Sequence, residues 1–244
     1  KKKFKMKHLI VIPTYNEKTN ITILIKKLIK LYKSKFQILI IDDNSPDNTS
    51  AEVLKLKKKY KFIKLKSREK KLGIGSAHKY GIKYAVRNNF KILITMDADG
   101  THNPKYIKKM LNLSKDFHLV TTTRFNNISS LKDWPLWRVF LTNLRHKLLK
   151  FLLNLEFDAS GAFRVIDSKK IKLKDILLSN QNGYSYFWES LYLLKKKKYK
   201  ISEISIQLPY RKLGSSKMKI KDIIHAFYSL FLVYIKSLVN FYDT

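Results

Sequence analysis

The chain of 244 residues contains no cysteine. This absence excludes a disulfide scaffold, a thiolate metal site and a cysteine nucleophile. Glycine and proline are also scarce, with seven and five residues, and no stretch rich in Pro, Gly or Ser marks a linker between domains. We therefore predict one continuous domain over residues 1–218, followed by a C-terminal amphipathic helix over residues 219–244.

Long hydrophobic runs are missing as well. A helix that crosses a bilayer needs roughly 18 or more consecutive apolar residues. The most apolar stretch runs from Ile223 to Ile235, contains His225 and stops at Lys236. We therefore expect no membrane span in this sequence. The first seven residues do not resemble a signal peptide, because no apolar segment of the right length follows them.

Negative charge is scarce, with 18 Asp and Glu residues against 51 Lys and Arg residues and a formal net charge of +33. This excess is the main argument for a nucleic-acid-binding protein, which we keep as the alternative to an enzyme. The basic residues are mostly lysines that recur in nearly every segment, which indicates compositional bias or attraction to an anionic surface. We expect no specific nucleic-acid partner.

Short apolar runs of β type alternate with helical patterns through the first half of the chain. This alternation is typical of crossover units around a mostly parallel sheet, so the predicted fold class is α/β. The predicted strands cover His8 to Thr14, Phe36 to Asp42, Phe62 to Lys66, Lys91 to Asp97, Leu119 to Thr123 and Ile201 to Leu208, with a short extended piece from Asp158 to Val165. The predicted helices cover Ile21 to Tyr32, Thr49 to Tyr60, Ser76 to Asn89, Pro104 to Ser114, Pro135 to Leu155, Tyr186 to Lys195 and Lys219 to about Asn240.

Five of the 18 acidic residues lie in two groups that directly follow apolar strands. The groups are Asp42, Asp43 and Asp47, and then Asp97 and Asp99. The carboxyl ends of parallel strands form the edge at which such folds bind ligands. Two carboxylates separated by one small residue can converge on a hard cation such as Mg²⁺ or Mn²⁺, which could also bind a nucleotide diphosphate. For the first group, turn and helix-cap chemistry is an equal alternative.

Only seven of the 51 basic residues are arginines, and five of them follow Asp99. They are Arg124, Arg138, Arg145, Arg164 and Arg211. Where lysine otherwise supplies positive charge, an arginine indicates a need for the planar fork that binds phosphate bidentately. An ordinary ion pair is the alternative for each one singly. For Arg124, Arg138 and Arg211 together we favour a phosphate site.

Two other polar residues have two interpretations each. His102 follows the Asp97 group closely, so it could be a ligand or base, or it could order the loop. Glu189 lies in an apolar helical segment, so it could orient an arginine or pair with a lysine.

Four motifs in this order resemble the family 2 glycosyltransferases with a GT-A fold: Ile12 to Glu17, Asp42 to Asp47, Leu72 to Ala77 with Gly81, and Met96 to Asp99. Three motifs of the second half are similar to the polyprenyl-phosphate (dolichyl-phosphate) mannose synthases: Trp134 to Arg138, Asp158 to Arg164, and Pro209 to Lys217. The resemblance covers roughly Leu9 to Lys217.

The resemblance implies a metal-assisted enzyme that transfers mannose from GDP-mannose to polyprenyl phosphate with inversion. Mg²⁺ or Mn²⁺ would be the cofactor. UDP-glucose or another nucleotide sugar stays open as the donor, because nothing in the sequence specifies the nucleobase of the donor. A phosphate monoester is an anion near neutral pH, so no side-chain general base is required. The enzyme would lie peripherally on the cytoplasmic face of a membrane.

Residue roles follow from the same resemblance. Residues that would bind the donor nucleotide sugar are Pro13, Tyr15, Glu17, Asp43, Asp97 and Lys217, the last on a loop that closes over the site. Asp97 and Asp99 would hold the metal. The acceptor phosphate would meet Arg124, Arg138, Thr142 and Arg211, and the catalytic residues would be Asp99, Arg124, Arg138 and Arg211.

Two helices are candidates for the headgroup region of a membrane, because they combine basic and aromatic residues. They are Pro135 to Leu155 and Ile223 to Tyr242. Packing of both helices on the sheet is the alternative. For the second helix we favour the membrane.

Overall fold

A computed structural model describes residues 7–125, 128–131, 133–211 and 220–239. Its seven strands are β1 (His8–Thr14), β2 (Gln37–Asp42), β3 (Ile63–Ser67), β4 (Ile92–Thr95), β5 (Leu119–Thr123), β6 (Arg164–Asp167) and β7 (Ile201–Ser205). Its α-helices are α1 (Lys18–Tyr32), α2 (Thr49–Lys59), α3 (Ile74–Arg87), α4 (Ile107–Leu113), α5 (Leu136–Leu153), α6 (Leu173–Ile176), α7 (Ser185–Lys196) and α8 (Ile220–Leu238). Short 3₁₀ turns cover Pro104–Tyr106 and Ile128–Leu131.

The strands form one sheet in the order β3-β2-β1-β4-β6-β5-β7. Strands β1 to β4 pair in parallel, β5 is parallel to β7, and β6 runs antiparallel to both of its neighbours. The predicted α/β class with a mostly parallel sheet is confirmed. The reversed direction of β6 was not predicted, because a strand buried on both faces carries the same continuous apolar pattern in either direction.

Helices cover both faces of the sheet. On β1, Leu9 and Val11 contribute to one apolar cluster, and Ile10 and Ile12 contribute to the other. Helix α1 packs into the second cluster, while α3 and α7 pack into the first. Gly81 of α3 lies against β1, since a Cβ atom at this position would come within 2.7 Å of the Val11 side chain. The alternating side chains of each buried strand therefore require helices on both sides.

Most element bounds agree with the predictions within two or three residues. The largest differences for strands are that β4 ends at Thr95 and β7 at Ser205, before the predicted Asp97 and Leu208. The extended piece predicted from 158 to 165 forms a strand only from Arg164 onward. Helix α6 was not predicted, because four residues are too few to show a helical period. Asp97 thus lies in a loop, where its side chain is not constrained by the sheet.

Helix α8 packs against α5 and α7. Its observed span, Ile220–Leu238, lies within the predicted helix, whose end residues 219 and 240 fall outside the described residues. The predicted boundary between residues 218 and 219 also falls there. Among the helices that the structure describes, none is both long enough and apolar enough to cross a membrane.

Candidate active site

One large cavity, of about 700 Å³, opens at the edge of the sheet where β1, β2, β4, β5 and β7 end. Because β6 is reversed, the segment that precedes it also reaches this edge. The cavity is lined by all of the predicted site residues that the structure describes: Pro13, Tyr15, Glu17, Asp43, Asp97, Asp99, Arg124, Arg138, Thr142 and Arg211. The predicted Lys217 lies outside the described residues.

Asp42 and Asp47 hold the turn that follows β2. Asp42 accepts hydrogen bonds from the hydroxyls of Thr14 (2.7 Å), Ser45 (2.6 Å) and Ser50 (2.8 Å). Asp47 accepts from the backbone N–H groups of Thr49 at the start of α2 and Lys18 at the start of α1, each at 3.0 Å. These two acids perform the turn and cap chemistry that was the alternative interpretation of the group.

Asp43 has a different role. Its Oδ2 accepts from the backbone N–H groups of Leu72 (3.0 Å) and Gly73 (3.2 Å), and its Oδ1 pairs with the guanidinium of Arg68. It therefore ties the end of β2 to the loop before α3, on the wall of the cavity. Arg68 was not among the predicted site residues, although its position directly after β3 and its rarity as an arginine were signals that could have identified it.

Tyr15 also lines the cavity. The Lys71 ammonium lies 4.3 Å from the centroid of that ring. Lys71 was also not predicted, because the sequence contains 44 lysines among its 51 basic residues and nothing local distinguishes this one.

Glu17 is buried and pairs directly with Arg211 in the lining of the cavity. Its Oε2 accepts from Nη2 of Arg211 at 2.7 Å and from the Asn20 amide at 2.8 Å. Burial is the main cause that raises the pKa of Glu17, and the nearby Asp99 carboxylate raises it further. Nη1 of Arg211 lies 3.8 Å from Oδ2 of Asp99. The structure thus places Arg211 among the carboxylates.

Asp97 and Asp99 lie in the loop after β4 and their geometry is set by neighbouring groups. Thr101 donates to Oδ1 of Asp99 from its hydroxyl (2.7 Å) and its backbone N–H (3.1 Å). Burial raises the pKa of Asp97 to about 8, and the charges of Asp99 and Glu17 add to the effect. Like charges held this close favour either a proton or a cation between them.

His102 orders this loop. Its Nδ1 accepts a hydrogen bond from the backbone N–H of Asp97 at 3.0 Å, and its ring stacks on Phe163 with 5.2 Å between centroids. Burial, with Arg124 as a further cause, lowers the pKa of His102 to about 4. A neutral ring that accepts at Nδ1 carries its proton on Nε2. The loop-ordering interpretation therefore describes His102, which has no lone pair left for a metal.

The donor set suits a hard divalent ion bound together with a diphosphate. Among the described residues, no group of three or more His, Asp or Glu side chains could hold one ion. Asp97 and Asp99 would therefore supply the protein's carboxylate ligands. Mg²⁺ and Mn²⁺ accept such sites, with phosphate oxygens and water completing the coordination.

Arg124 and Asp158 form a buried ion pair that also lines the cavity. Nε of Arg124 donates to Oδ2 of Asp158 at 2.7 Å, Nη2 donates to Oδ1 at 3.2 Å, and the backbone N–H of Arg124 donates at 3.1 Å. Burial alone would raise the pKa of Asp158, but the charge and hydrogen bonds of Arg124 hold it below its usual range. The Arg124 guanidinium also lies 5.6 Å from the Trp134 ring.

Helix α5 carries Arg138, Thr142 and Arg145 into the same cavity. Arg138 lies between two aromatic rings, 5.3 Å from Trp137 and 5.6 Å from Tyr210. Burial, with Arg124 as a further cause, lowers the pKa of Arg145 to about 10. The predicted pair of Arg138 and Thr142 on one side of the helix is thus present.

Two polar residues that had alternative interpretations are structural. Arg164 is buried and donates to the carbonyl oxygens of Gly161 (3.0 Å) and Phe187 (2.5 Å) and to the Ser190 hydroxyl (2.9 Å). Glu189 accepts from the Ser179 hydroxyl. Burial is the main cause that raises its pKa. Both side chains fix α7 to its neighbours.

Exposed apolar side chains cover the outer faces of α5 and α8. On α5, Leu136, Phe140 and Phe151 are 87%, 66% and 86% exposed. On α8, the exposed apolar residues are Ile220, Ile224, Tyr228, Phe231, Leu232, Ile235 and Leu238. The inner face of α8 lines the cavity through Ile223, Ala226, Phe227 and Leu230. The cavity therefore leads from the carboxylates to two helices with apolar outer faces.

Comparison with known proteins identifies the class. The family model described as Glycosyl transferase family 2 matches residues 9–173, more than half of the chain. The chain belongs to this family and is a glycosyltransferase. This membership decides between the enzyme and the nucleic-acid-binding protein in favour of the enzyme.

Two curated relatives are similar over most of their length. One is the polyprenol monophosphomannose synthase of Mycolicibacterium smegmatis, 26% identical over 91% of this chain and 84% of the relative. The other is the undecaprenyl-phosphate mannosyltransferase of Micrococcus luteus, 25% identical over 87% of this chain and 88% of the relative.

Among solved structures, the fold is similar to glucosyl-3-phosphoglycerate synthase from Mycobacterium tuberculosis in complex with Mn²⁺, UDP and phosphoglyceric acid. The TM-score is 0.65 at 16% identity, with 95% of this chain and 78% of that chain covered. The complex of the same enzyme with Mg²⁺ and UDP gives a TM-score of 0.61 at 15% identity, with 95% of this chain and 79% of that chain covered. This likeness confirms the GT-A-like fold.

Proposed function

We propose that this glycosyltransferase transfers mannose from GDP-mannose to the phosphate of a polyprenyl (dolichyl) phosphate, with inversion at the anomeric carbon. The observation that carries the proposal is the composition of one cavity. It is lined by carboxylates from the strand ends, by the arginines of α5, and by α8, and both of these helices also have exposed apolar side chains. The two curated relatives, whose names specify mannose and a polyprenyl carrier, support the same substrates.

The donor would lie at the strand ends. Pro13, Tyr15 and Glu17 would line the nucleotide pocket, Asp43 would shape its wall, and Lys217 would close over it. Asp97 and Asp99 would hold a Mg²⁺ or Mn²⁺ ion, which when bound supplies the positive charge that stabilises the leaving diphosphate. The solved complexes of a related fold with Mn²⁺ or Mg²⁺ support the use of a divalent ion.

The acceptor phosphate would lie against α5. Arg138 and Thr142 would bind its oxygens, with Arg124 and Arg211 close by. An oxygen of this phosphate attacks the anomeric carbon, and the bond from that carbon to the diphosphate breaks. The attacking oxygen is already an anion near neutral pH, so catalysis consists of holding two anionic groups in line and offsetting their repulsion.

The polyprenyl chain would leave the cavity between α5 and α8 and enter a membrane. The exposed apolar side chains of both helices suit the boundary between headgroups and acyl chains, and the net charge of +33 favours anionic lipid. We therefore propose a peripheral protein on the cytoplasmic face, with residues 1–218 as the catalytic domain and residues 219–244 as a membrane-associated helix.

A transfer assay tests the proposal. Purified full-length chain with Mn²⁺ or Mg²⁺ is given GDP-mannose, UDP-glucose or GDP-glucose, each with a short polyprenyl phosphate, the matching polyprenol or 3-phosphoglycerate. We expect transfer from GDP-mannose to the polyprenyl phosphate alone. Transfer only to 3-phosphoglycerate would overturn the acceptor, and transfer only from UDP-glucose would overturn the donor. UDP-glucose is the second candidate, since solved structures of the similar fold hold it.

A further inference from the structure

Four arginines line the cavity, and they differ in their partners. Arg124 is neutralised by Asp158 and Arg211 is paired with Glu17. For Arg138 and Arg145, the described part of the chain provides no hydrogen bond and no ion pair to a carboxylate. Arg138 and Arg145, whose charge is available to a ligand, are therefore both on α5.

Arg138, Thr142 and Arg145 are spaced at i, i+4 and i+7 along α5. Residues at this spacing lie on one face of a helix, one turn apart. All three line the cavity, so this face is turned inward. Arg138 and Arg145 are both partly buried, and a partly desolvated guanidinium without a hydrogen-bonded partner carries a free-energy cost. Such a cost is tolerated where a ligand of opposite charge completes the site.

The neighbourhood of Arg145 strengthens this argument. Two charges act on Arg145: Arg124 repels it and Asp158 attracts it. Both carboxylate oxygens of Asp158 already accept hydrogen bonds from Arg124, at 2.7 and 3.2 Å. Arg124 and Arg145 therefore share the charge of Asp158, whose hydrogen bonds go to Arg124.

We propose that Arg145 binds the acceptor phosphate together with Arg138 and Thr142, so that two guanidinium forks and one hydroxyl on a single helical face hold a phosphate monoester. This inference rests on the proposed function and adds a residue to the acceptor site. Two forks suit a group that carries more than one charged oxygen. The site would thus select a phosphate-terminated lipid over the corresponding neutral alcohol.

Arg145→Gln is the direct test, measured with GDP-mannose and a short, detergent-dispersed polyprenyl phosphate. We expect the KM for the acceptor to rise by about 10- to 100-fold, because a charged hydrogen bond is lost, while the affinity for the donor changes by less than about three-fold. Lys147→Gln is the matched control, since Lys147 is exposed on the same helix and does not line the cavity. Its acceptor KM should stay at the wild-type value.

Arg145→Lys separates binding from a structural role. Lysine keeps the charge beside Asp158 but loses the fork. We expect an acceptor KM between those of the wild type and Arg145→Gln, with the thermal unfolding midpoint unchanged. If Arg145→Gln does not fold, Arg145→Lys alone tests the inference, and we expect its acceptor KM to be about three- to ten-fold above the wild-type value. An unchanged acceptor KM in the folded variants would overturn the inference.

The outcome is distinct from failure of the proposed function. If the wild type transfers no sugar to any polyprenyl phosphate, both the proposed function and this inference are wrong. If the wild type is active and the loss in Arg145→Gln falls on the donor instead, the proposed function stands and the assignment of Arg145 is wrong.

Discussion

Two sets of charged residues line the cavity. The set that we call the acidic end comprises Glu17, Asp97 and Asp99, which follow β1 and β4. The set that we call the basic end comprises Arg124, which follows β5, and Arg138 and Arg145 of α5. At the strand ends, the carboxylates of Glu17, Asp97 and Asp99 share the single guanidinium of Arg211. Within the described residues, Arg124 pairs with Asp158, whereas neither Arg138 nor Arg145 forms an ion pair. This difference supports the proposal that the cavity binds two different ligands. Under the proposed function, the acidic end would hold a cation together with a diphosphate. The basic end would hold an anion without a cation.

Removing a carboxylate at the acidic end should have the largest effect on activity. We expect Asp99→Asn to lower the rate of transfer by about 100-fold or more, because under the proposed function Asp99 would hold the cation whose positive charge stabilises the leaving diphosphate. The Asp99 side chain is 19% exposed, so the unfolding midpoint should stay near the wild-type value. Initial rates and thermal unfolding measure the two quantities. Undiminished activity in this variant, or after exhaustive chelation, would contradict the assignment.

Breaking the ion pair at the basic end should act mainly on stability. Asp158→Asn leaves Arg124 buried without its partner, a change that typically costs about 3–5 kcal/mol. Because the pKa of Asp158 is held below its usual range in the folded protein, its contribution is complete above the unfolded pKa of about 3.9 and is lost as the pH falls through the folded value. Denaturant titrations should therefore show a large difference from wild type at pH 7 that shrinks below about pH 4.

A milder change to α5 tests whether the basic end acts on the acceptor and not on the donor. Arg138→Lys keeps the charge and loses the fork, so we expect the acceptor KM to rise by about 10-fold or the turnover to fall by a similar factor. Donor affinity should stay within about two- to three-fold. Steady-state kinetics with each substrate varied in turn gives both numbers. A loss of affinity for the donor alone would assign Arg138 to the donor site. It would contradict the assignment of the basic end to the acceptor.

The smallest effect concerns the surface beyond the basic end. Replacing Phe140 and Phe151 with serine removes two exposed rings, so binding to anionic lipid vesicles in a sedimentation assay should weaken by several-fold, since each ring loses part of its ~1.5–3 kcal/mol of burial. Leu54→Ser is the control, because Leu54 is 46% exposed on α2. If the Phe140 and Phe151 variant bound vesicles as strongly as Leu54→Ser, the result would contradict a role of α5 in membrane binding.

The acidic end could be predicted because its parts are local. Asp43, Asp97 and Asp99 each follow an apolar run within a few residues, and the carboxyl ends of parallel strands meet at one edge whatever the details of packing. The motif from Ile12 to Glu17 ends another such strand. The loop structure around the acids was less predictable, and His102 could be assigned its role only when its Nδ1 was found to accept from Asp97.

By itself, the sequence determined the alternation of strands and helices, the acids at the strand ends and the rarity of arginine, because each of these is a property of neighbouring residues. Only the tertiary structure decided which arginines are neutralised. Arg124 and Asp158 are 34 positions apart, and they meet because β6 runs opposite to its neighbours and carries the preceding segment to the edge where β5 ends. A pairing of this kind depends on strand order and direction, which buried apolar runs do not record.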